Sequence, residues 1–289
     1  LTGYQLADEP DMNVGNGTPQ GAGCMPTSKL AAFADSLHRA DPARPVHVNF
    51  GTGVALGARA GAGCDGSFAA YAAAADIVSV DYYGVSTPWH DAADKGVWTY
   101  GRTAARARML APGKPVWVFL EAPVRMEATS QTLAGATHAT PAQVRAAAWD
   151  ALVNGATGLE WFCHSLAAKV DDACLRDAAS AATLREVDAD AQRYAAWWNA
   201  PPVFVGVRGG TRSAPVQATL RVAAGKRMVF AVGVDSASQP EGGPSDATFV
   251  LPDHYSGPVA ASDGRTLQAH DGVFSDHLSP YEVVAYRIG

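Results

Sequence analysis

Five short apolar runs, at residues 3–7, 45–50, 77–83, 115–120 and 158–163, limit what this chain can fold into. Each is hydrophobic nearly throughout rather than alternating, which is the pattern of parallel strands buried on both faces. Helical stretches at 27–40, 66–75, 97–110 and 141–154 separate them, and another at 183–199 follows the last. Thr140-Pro141 supplies an N-cap with proline at the first helical position, and Asn154-Gly155 closes the same helix. Strand starts are spaced by roughly 30 to 42 residues, the size of a βα unit with functional loops. The loops after the strands are long and aromatic, whereas those before them are short. That asymmetry fits a barrel whose active site lies at the strand C-terminal ends. The rival is an open doubly wound sheet, since a closed barrel needs eight units and five are visible. Such a sheet usually carries a Gly-rich phosphate turn after its first strand. Here Asp8-Glu9-Pro10-Asp11 stands at that point, and no GxGxxG or GxxxxGKS follows any strand.

Past Pro201-Pro202 the pattern changes to short alternating segments at 203–207, 218–223, 227–234, 248–251 and 282–287. Turns such as Ala224-Gly225, Asp263-Gly264 and Asp271-Gly272 separate them, as in an antiparallel β-sandwich. The expected organisation is an α/β region over 1–200 and a β-sandwich accessory domain over 203–289. With 48% hydrophobic and 17% charged residues the chain can build a core, and global disorder is excluded. A net charge of -6 is neither a nucleic-acid footprint nor that of an anionic-membrane binder. No apolar run is long enough for a transmembrane helix. No signal peptide is visible at Leu1-Thr2-Gly3.

Cys24, Cys64, Cys163 and Cys174 fit no zinc-ligand spacing, and the eight His form no HxH or HExxH pair, so neither metal nor cofactor is expected. Cys24 and Cys64 sit in Gly-rich loop sequence, and Cys163 and Cys174 bracket a short loop. The expectation is two disulfides in a secreted or periplasmic protein, with four buried thiols as the alternative.

Two glutamates stand at strand C-terminal ends, Glu9 in Gln5-Leu6-Ala7-Asp8-Glu9-Pro10 and Glu121 in Trp117-Val118-Phe119-Leu120-Glu121-Ala122. Desolvation disfavours a carboxylate at the end of an apolar strand, so two of them, three strands apart, point to function. The chemistry that needs two opposed carboxyls is glycoside hydrolysis.

These residues resemble the acid/base and nucleophile of clan A glycoside hydrolases. The resemblance spans roughly residues 2–199. It implies a (β/α)8 TIM barrel with Glu9 as acid/base ending strand 4 and Glu121 as nucleophile ending strand 7. It also implies a carbohydrate substrate, and that the visible strands are 4–8 of the barrel, with strands 1–3 preceding Leu1. Arg44-Pro45-Val46, Asp81-Tyr82-Tyr83-Gly84 and Trp161 support it. The clan usually has Asn before the acid/base, bonding the sugar 2-hydroxyl. This chain has Asp8, which accepts from that hydroxyl but, when ionised, does not donate. The two carboxyls are expected about 5–5.5 Å apart, the separation of a retaining enzyme.

Strand parity nominates the supporting residues. Asp81 and Tyr83 share one face, with Tyr83 expected on the Glu121 carboxylate. His47 and Asn49 share another and face substrate or join a structural network with Asp81. Trp161 is the expected sugar platform, and His164 a subsite contact. Trp89-His90 and Trp98 either line an outer subsite or pack on the rim. Trp149, Trp197 and Trp198 read as packing. Glu127, Glu160 and Asp11 are rival carboxylates, and Glu160 and Trp161 cannot both face the lumen. A carbohydrate-binding protein without turnover is the alternative from another class. A hydrolase built on His47, His164 and Ser165 lacks any supporting motif.

Overall fold

The computed structural model describes residues 2–12, 24–56, 67–86, 91–122, 139–164, 173–209 and 214–289. Strands β1 (Tyr4–Asp8), β2 (Val46–Phe50), β3 (Ile77–Asp81), β4 (Val116–Glu121) and β5 (Gly158–Phe162) form one parallel sheet in sequence order. The helices are α1 (Thr27–Ala40), α2 (Gly53–Leu56), α3 (Phe68–Ala73), α4 (Trp98–Leu110), α5 (Pro141–Val153), α6 (Ala173–Arg176), α7 (Ala178–Arg193) and α8 (Ala195–Trp198). A doubly wound sheet reverses its strand order near the middle. This one does not, so it is the partial (β/α)8 arrangement. The expected helix over 183–199 instead begins at Ala178, where the Asp177 carboxylate accepts from Ser180 N at 2.7 Å, and α8 follows it after Tyr194.

By contacts the chain forms two compact units. One comprises Leu1–Tyr82, Arg102–Leu120 and Ala156–Glu160, and the other Tyr83–Gly101, Glu121–Gly155 and Trp161–Gly289. In the first, Val48, Phe50, Val78, Val80 and Val116 bury one face of the sheet against Leu30 of α1, Phe68 and Tyr71 of α3, and Ala107 of α4. Two-sided burial explains why these strands read as continuous apolar runs.

The second unit holds the C-terminal strands β6 (Pro202–Val203), β7 (Gly206–Gly209), β8 (Val216–Ala223), β9 (Lys226–Gly233), β10 (Ser245–Val250), β11 (Gly257–Ala261), β12 (Thr266–Ala269), β13 (Val273–Leu278) and β14 (Val283–Ile288). They form two antiparallel sheets, β13-β10-β7 and β12-β11-β14-β9-β8-β6. Leu220, Val229, Ala231 and Tyr286 of the larger sheet share one core with Phe249, Phe274 and Leu278 of the smaller. Phe249 stacks on Phe274 with ring centroids 4.8 Å apart. Phe230 instead meets Trp149 of α5 at 5.8 Å and Trp198 of α8 at 4.0 Å. A Thr140–Gln143 capping box starts α5, which is then buried without interruption from Ala146 to Val153. Trp149, at 2% exposure, is the hub of this aromatic cluster, packing also on Tyr194. Trp149→Ala should lower unfolding free energy by about 3–5 kcal/mol in urea denaturation, because three rings lose a common neighbour and a cavity remains.

Candidate functional site

In the first unit a polar chain runs across the inner strands. His47 Nε2 lies 2.7 Å from Ser79 Oγ, which donates to Asn49 Oδ1 at 2.8 Å. Asn49 Nδ2 in turn donates to Asp8 Oδ1 at 2.8 Å. Glu160 Oε2 comes to 3.7 Å from His47 Nε2, so β5 joins the same network. The His47 ring packs on Trp117 with centroids 5.2 Å apart. Trp117 has room because Gly158 faces it, where a Cβ would sit 2.3 Å from Cδ1. Burial, opposed by the Asp8 charge, brings the pKa of His47 down to about 4. Burial, reinforced by Asp8, pushes Glu160 up to about 7.

Asp8 reaches this face through an irregularity in β1. Gln5 pairs with His47 and Asp8 with Asn49, so three steps along β1 oppose two along β2. Without that bulge, strand alternation would turn Asp8 away from Asn49. Glu9 follows at φ +44, a left-handed conformation that a residue with a Cβ adopts only when its surroundings enforce it. Glu9 N donates to Asn49 O at 3.0 Å, and Met12 N closes a turn onto Glu9 O at 3.0 Å. Gly51 lets the side chain lie close to the end of β2, since a Cβ there would be 3.0 Å from Glu9 Oε1 and 2.6 Å from Met12 Cγ. The buried Asp11 accepts from Gly51 N at 3.2 Å, and burial pushes its pKa to about 6. Asp81, ending β3, faces Glu9, Asp8 and Asn49, and burial followed by the Glu9 charge holds its carboxyl well above the ordinary range.

In the second unit Glu121 is 2% exposed. Its Oε1 accepts from Val85 N at 2.8 Å and from the Tyr100 hydroxyl at 2.6 Å, and its Oε2 from Ser86 N at 2.8 Å. The tyrosine bonded to Glu121 is therefore Tyr100 of α4, where Tyr83 was expected. Tyr100 is fully buried, and burial together with the Glu121 charge raises its pKa well above the usual phenol value. Asp235, just past β9, fixes the start of that helix by accepting from Trp98 N at 3.1 Å. Asp235 Oδ2 also accepts from the Tyr281 hydroxyl at 3.2 Å.

The expectation for Trp161 is corrected. Its indole N–H donates to Asp188 of α7 at 3.0 Å, and its ring packs by the cluster of Ala122, Cys174 and Leu184. Strand alternation puts Glu160 and Phe162 on the opposite side from Trp161. Phe162 instead meets Tyr83 at 5.2 Å and His164 at 6.2 Å between ring centroids, an aromatic strip at the end of β5. The signal for this was the polar Glu160 on a half-buried strand, which fixes the phase of its neighbours. Trp98 donates its indole N–H to Lys95 O at 2.9 Å in the first turn of α4. Trp89, His90, Glu127 and Ser165 lie outside the described residues. Cys163 and Cys174 form a disulfide with Cα atoms 5.0 Å apart. Cys24 is buried, and Cys64, its expected partner, lies outside the described residues. Among the described residues no cluster is placed to hold a metal ion, and no helix is long and apolar enough to cross a membrane.

No family model matches the sequence, and no curated protein matches it. Solved structures do match by fold. A variant of AmyP in complex with maltotriose superposes with a TM-score of 0.55 at 12% identity, over 100% of this chain and 64% of that one. The α-amylase of Geobacillus thermoleovorans, complexed with acarbose, gives 0.54 at 11%, over 100% and 60%. A family 5 glycoside hydrolase from Bacteroides vulgatus gives 0.50 at 12%, over 89% and 57%. The fold is that of glycoside hydrolases, and the chain spans less than two thirds of the length of these structures.

The two shifted groups of the inner network make opposite demands on pH. Glu160 favours its protonated form in the fold, so its stabilising contribution is full below 4.5 and is lost as pH rises through about 7. His47 favours its neutral form, so its contribution is full above 6.5 and is lost as pH falls through about 4. The stability gap between Glu160→Gln and the parent chain should move in favour of the variant by on the order of 3 kcal/mol between pH 4 and 8. His47→Gln should gain relative to the parent in the acid direction. Guanidinium melts across that pH range measure both gaps, and parallel curves would contradict the assignment.

Proposed function

We propose that this chain carries the catalytic carboxylates of a retaining, clan A type glycoside hydrolase acting on an oligo- or polysaccharide. The observation that carries the reading is the placement of two glutamates at the carboxyl ends of β1 and β4, the first and fourth strands of one parallel sheet. Two features support it. The backbone at Glu9 is held at φ +44, as strained residues at functional sites often are. Glu121 is fixed by three donors, two of them backbone, which leaves its carboxylate a single orientation.

In this mechanism Glu9 gives a proton to the glycosidic oxygen as the bond from that oxygen to the anomeric carbon breaks. A carboxylate oxygen of Glu121 attacks that carbon and forms a glycosyl ester. Glu9, now ionised, takes a proton from a water whose oxygen displaces Glu121 from the anomeric carbon. Two displacements at one carbon return the starting configuration. Asp8 is read as a contact to a sugar hydroxyl and Asn49 as the residue that orients it, and Phe162, with Tyr83 and His164 beside it, is read as an aromatic face for the C–H side of a ring. The Cys163–Cys174 disulfide favours an exported protein. Residues 203–289 are read as an accessory β-sandwich.

One observation favours the non-catalytic alternative. Glu121 is nearly inaccessible, and both of its oxygens are already engaged. Turnover separates the two readings. With a panel of aryl glycosides and soluble glucans, NMR of the first-formed product should show the anomer of the substrate. Glu121→Gln should lower kcat by ~10³-fold or more. Inverted product would exclude the double displacement. Saccharide binding without turnover, unchanged in Glu121→Gln, would establish the binding protein.

A further inference from the structure

We infer that Asp81 is the proton partner of Glu9: the two carboxyls hold one proton between them, and that proton is the one delivered to the leaving oxygen. The inference rests on the reading of Glu9 as acid/base. Asp81 ends β3 one residue past Val80, the partner of Phe50, and so stands beside Gly51, against which Glu9 Oε1 lies; the groups facing it are Glu9, Asp8 and Asn49. A hydrogen bond between two carboxyls needs a proton on one of them. Asp81 Oδ1 is sealed from solvent with no hydrogen-bond partner among the described residues, so an ionised Asp81 would carry a buried charge offset only by Asn49. Asn49 Nδ2 donates to Asp8 at 2.8 Å and divides its two hydrogens between Asp8 and Asp81. Gly51, the bulge in β1 and the left-handed backbone at Glu9 together hold the Glu9 carboxyl in place. The raised pKa of Asp81 agrees with this arrangement.

The consequence is a two-step proton economy within the pair. In the first displacement the shared proton leaves through Glu9 to the glycosidic oxygen, and both carboxyls are then ionised. Two facing carboxylates repel, which makes the pair a strong base. In the second displacement it takes one proton from the attacking water as the glycosyl ester breaks, and the starting state returns. Asp81 touches neither sugar nor water in these steps; it acts through Glu9.

The test uses the whole chain labelled with carboxyl-13C Asp and Glu. The Asp81 signal should titrate above the ordinary carboxylate range in the parent and at lower pH in Glu9→Gln, where the neighbouring charge is gone. An Asp81 titration unmoved by Glu9→Gln would overturn the shared proton. Kinetics give a second readout should that variant fail to fold. Asp81→Asn should lower kcat/KM ~10²-fold on phenyl glycosides, whose leaving group needs a proton, and by less than ~3-fold on dinitrophenyl glycosides, whose leaving group does not. Equal losses on both would overturn the inference. Movement of the Asp81 signal, with no leaving-group dependence in Glu9→Gln, would place the failure in the reading of Glu9 as acid, and in the delivery with it.

Discussion

A strand buried on both faces has no solvent to satisfy a polar side chain, and this sheet carries His47, Asn49, Ser79 and Asp81 on two adjacent strands. His47, Asn49 and Ser79 satisfy one another across the ladder, with Asp8 and Glu160 closing the chain at its two ends. That requirement reaches into the backbone. Asp8 is available only because β1 bulges, and the bulge delivers the chain to Glu9 in a conformation it would otherwise avoid. The inner polar network and the strained glutamate are thus one structural fact, set by the cost of an unpaired polar group in an apolar sheet.

The middle three strands were legible because burial writes itself as an unbroken apolar run, and half-buried β1 and β5 carry a similar run. All five fall within about two residues of the runs read from the sequence. The same property hides their phase, since a run that is apolar throughout does not say which residues share a face. That is why Trp161 was placed on the wrong side. Size and chemistry favoured the indole as a sugar platform, while its neighbour Glu160 carried the only phase marker on that strand. The bulge in β1 was equally silent, because it is a matter of pairing between strands and not of composition.

Glu9 and Glu121 were legible as chemistry, whereas the partners of Glu121 were not. Val85 and Ser86 act through backbone N–H groups, which any residue could supply. Tyr100 sits in the first turn of a helix and reaches a strand end distant in sequence, a tertiary contact with no local signature. Tyr83 was the nearer guess by strand parity, yet its ring packs on Phe162. The sequence localises charged groups well, and neutral donors poorly.

The carboxylate of Asp235 ties the C-terminal sheets to the helix that presents Tyr100. It receives Trp98 N and the Tyr281 hydroxyl, while Gly96, at φ +123, leaves room for it. Tyr281 in turn lies 3.5 Å from Gln143 Nε2, in the capping box of α5. A segment exchanged for residues 203–289 would have to bring its own carboxylate to the start of α4. One that did not would leave that helix uncapped, and with it the hydroxyl on which Glu121 rests.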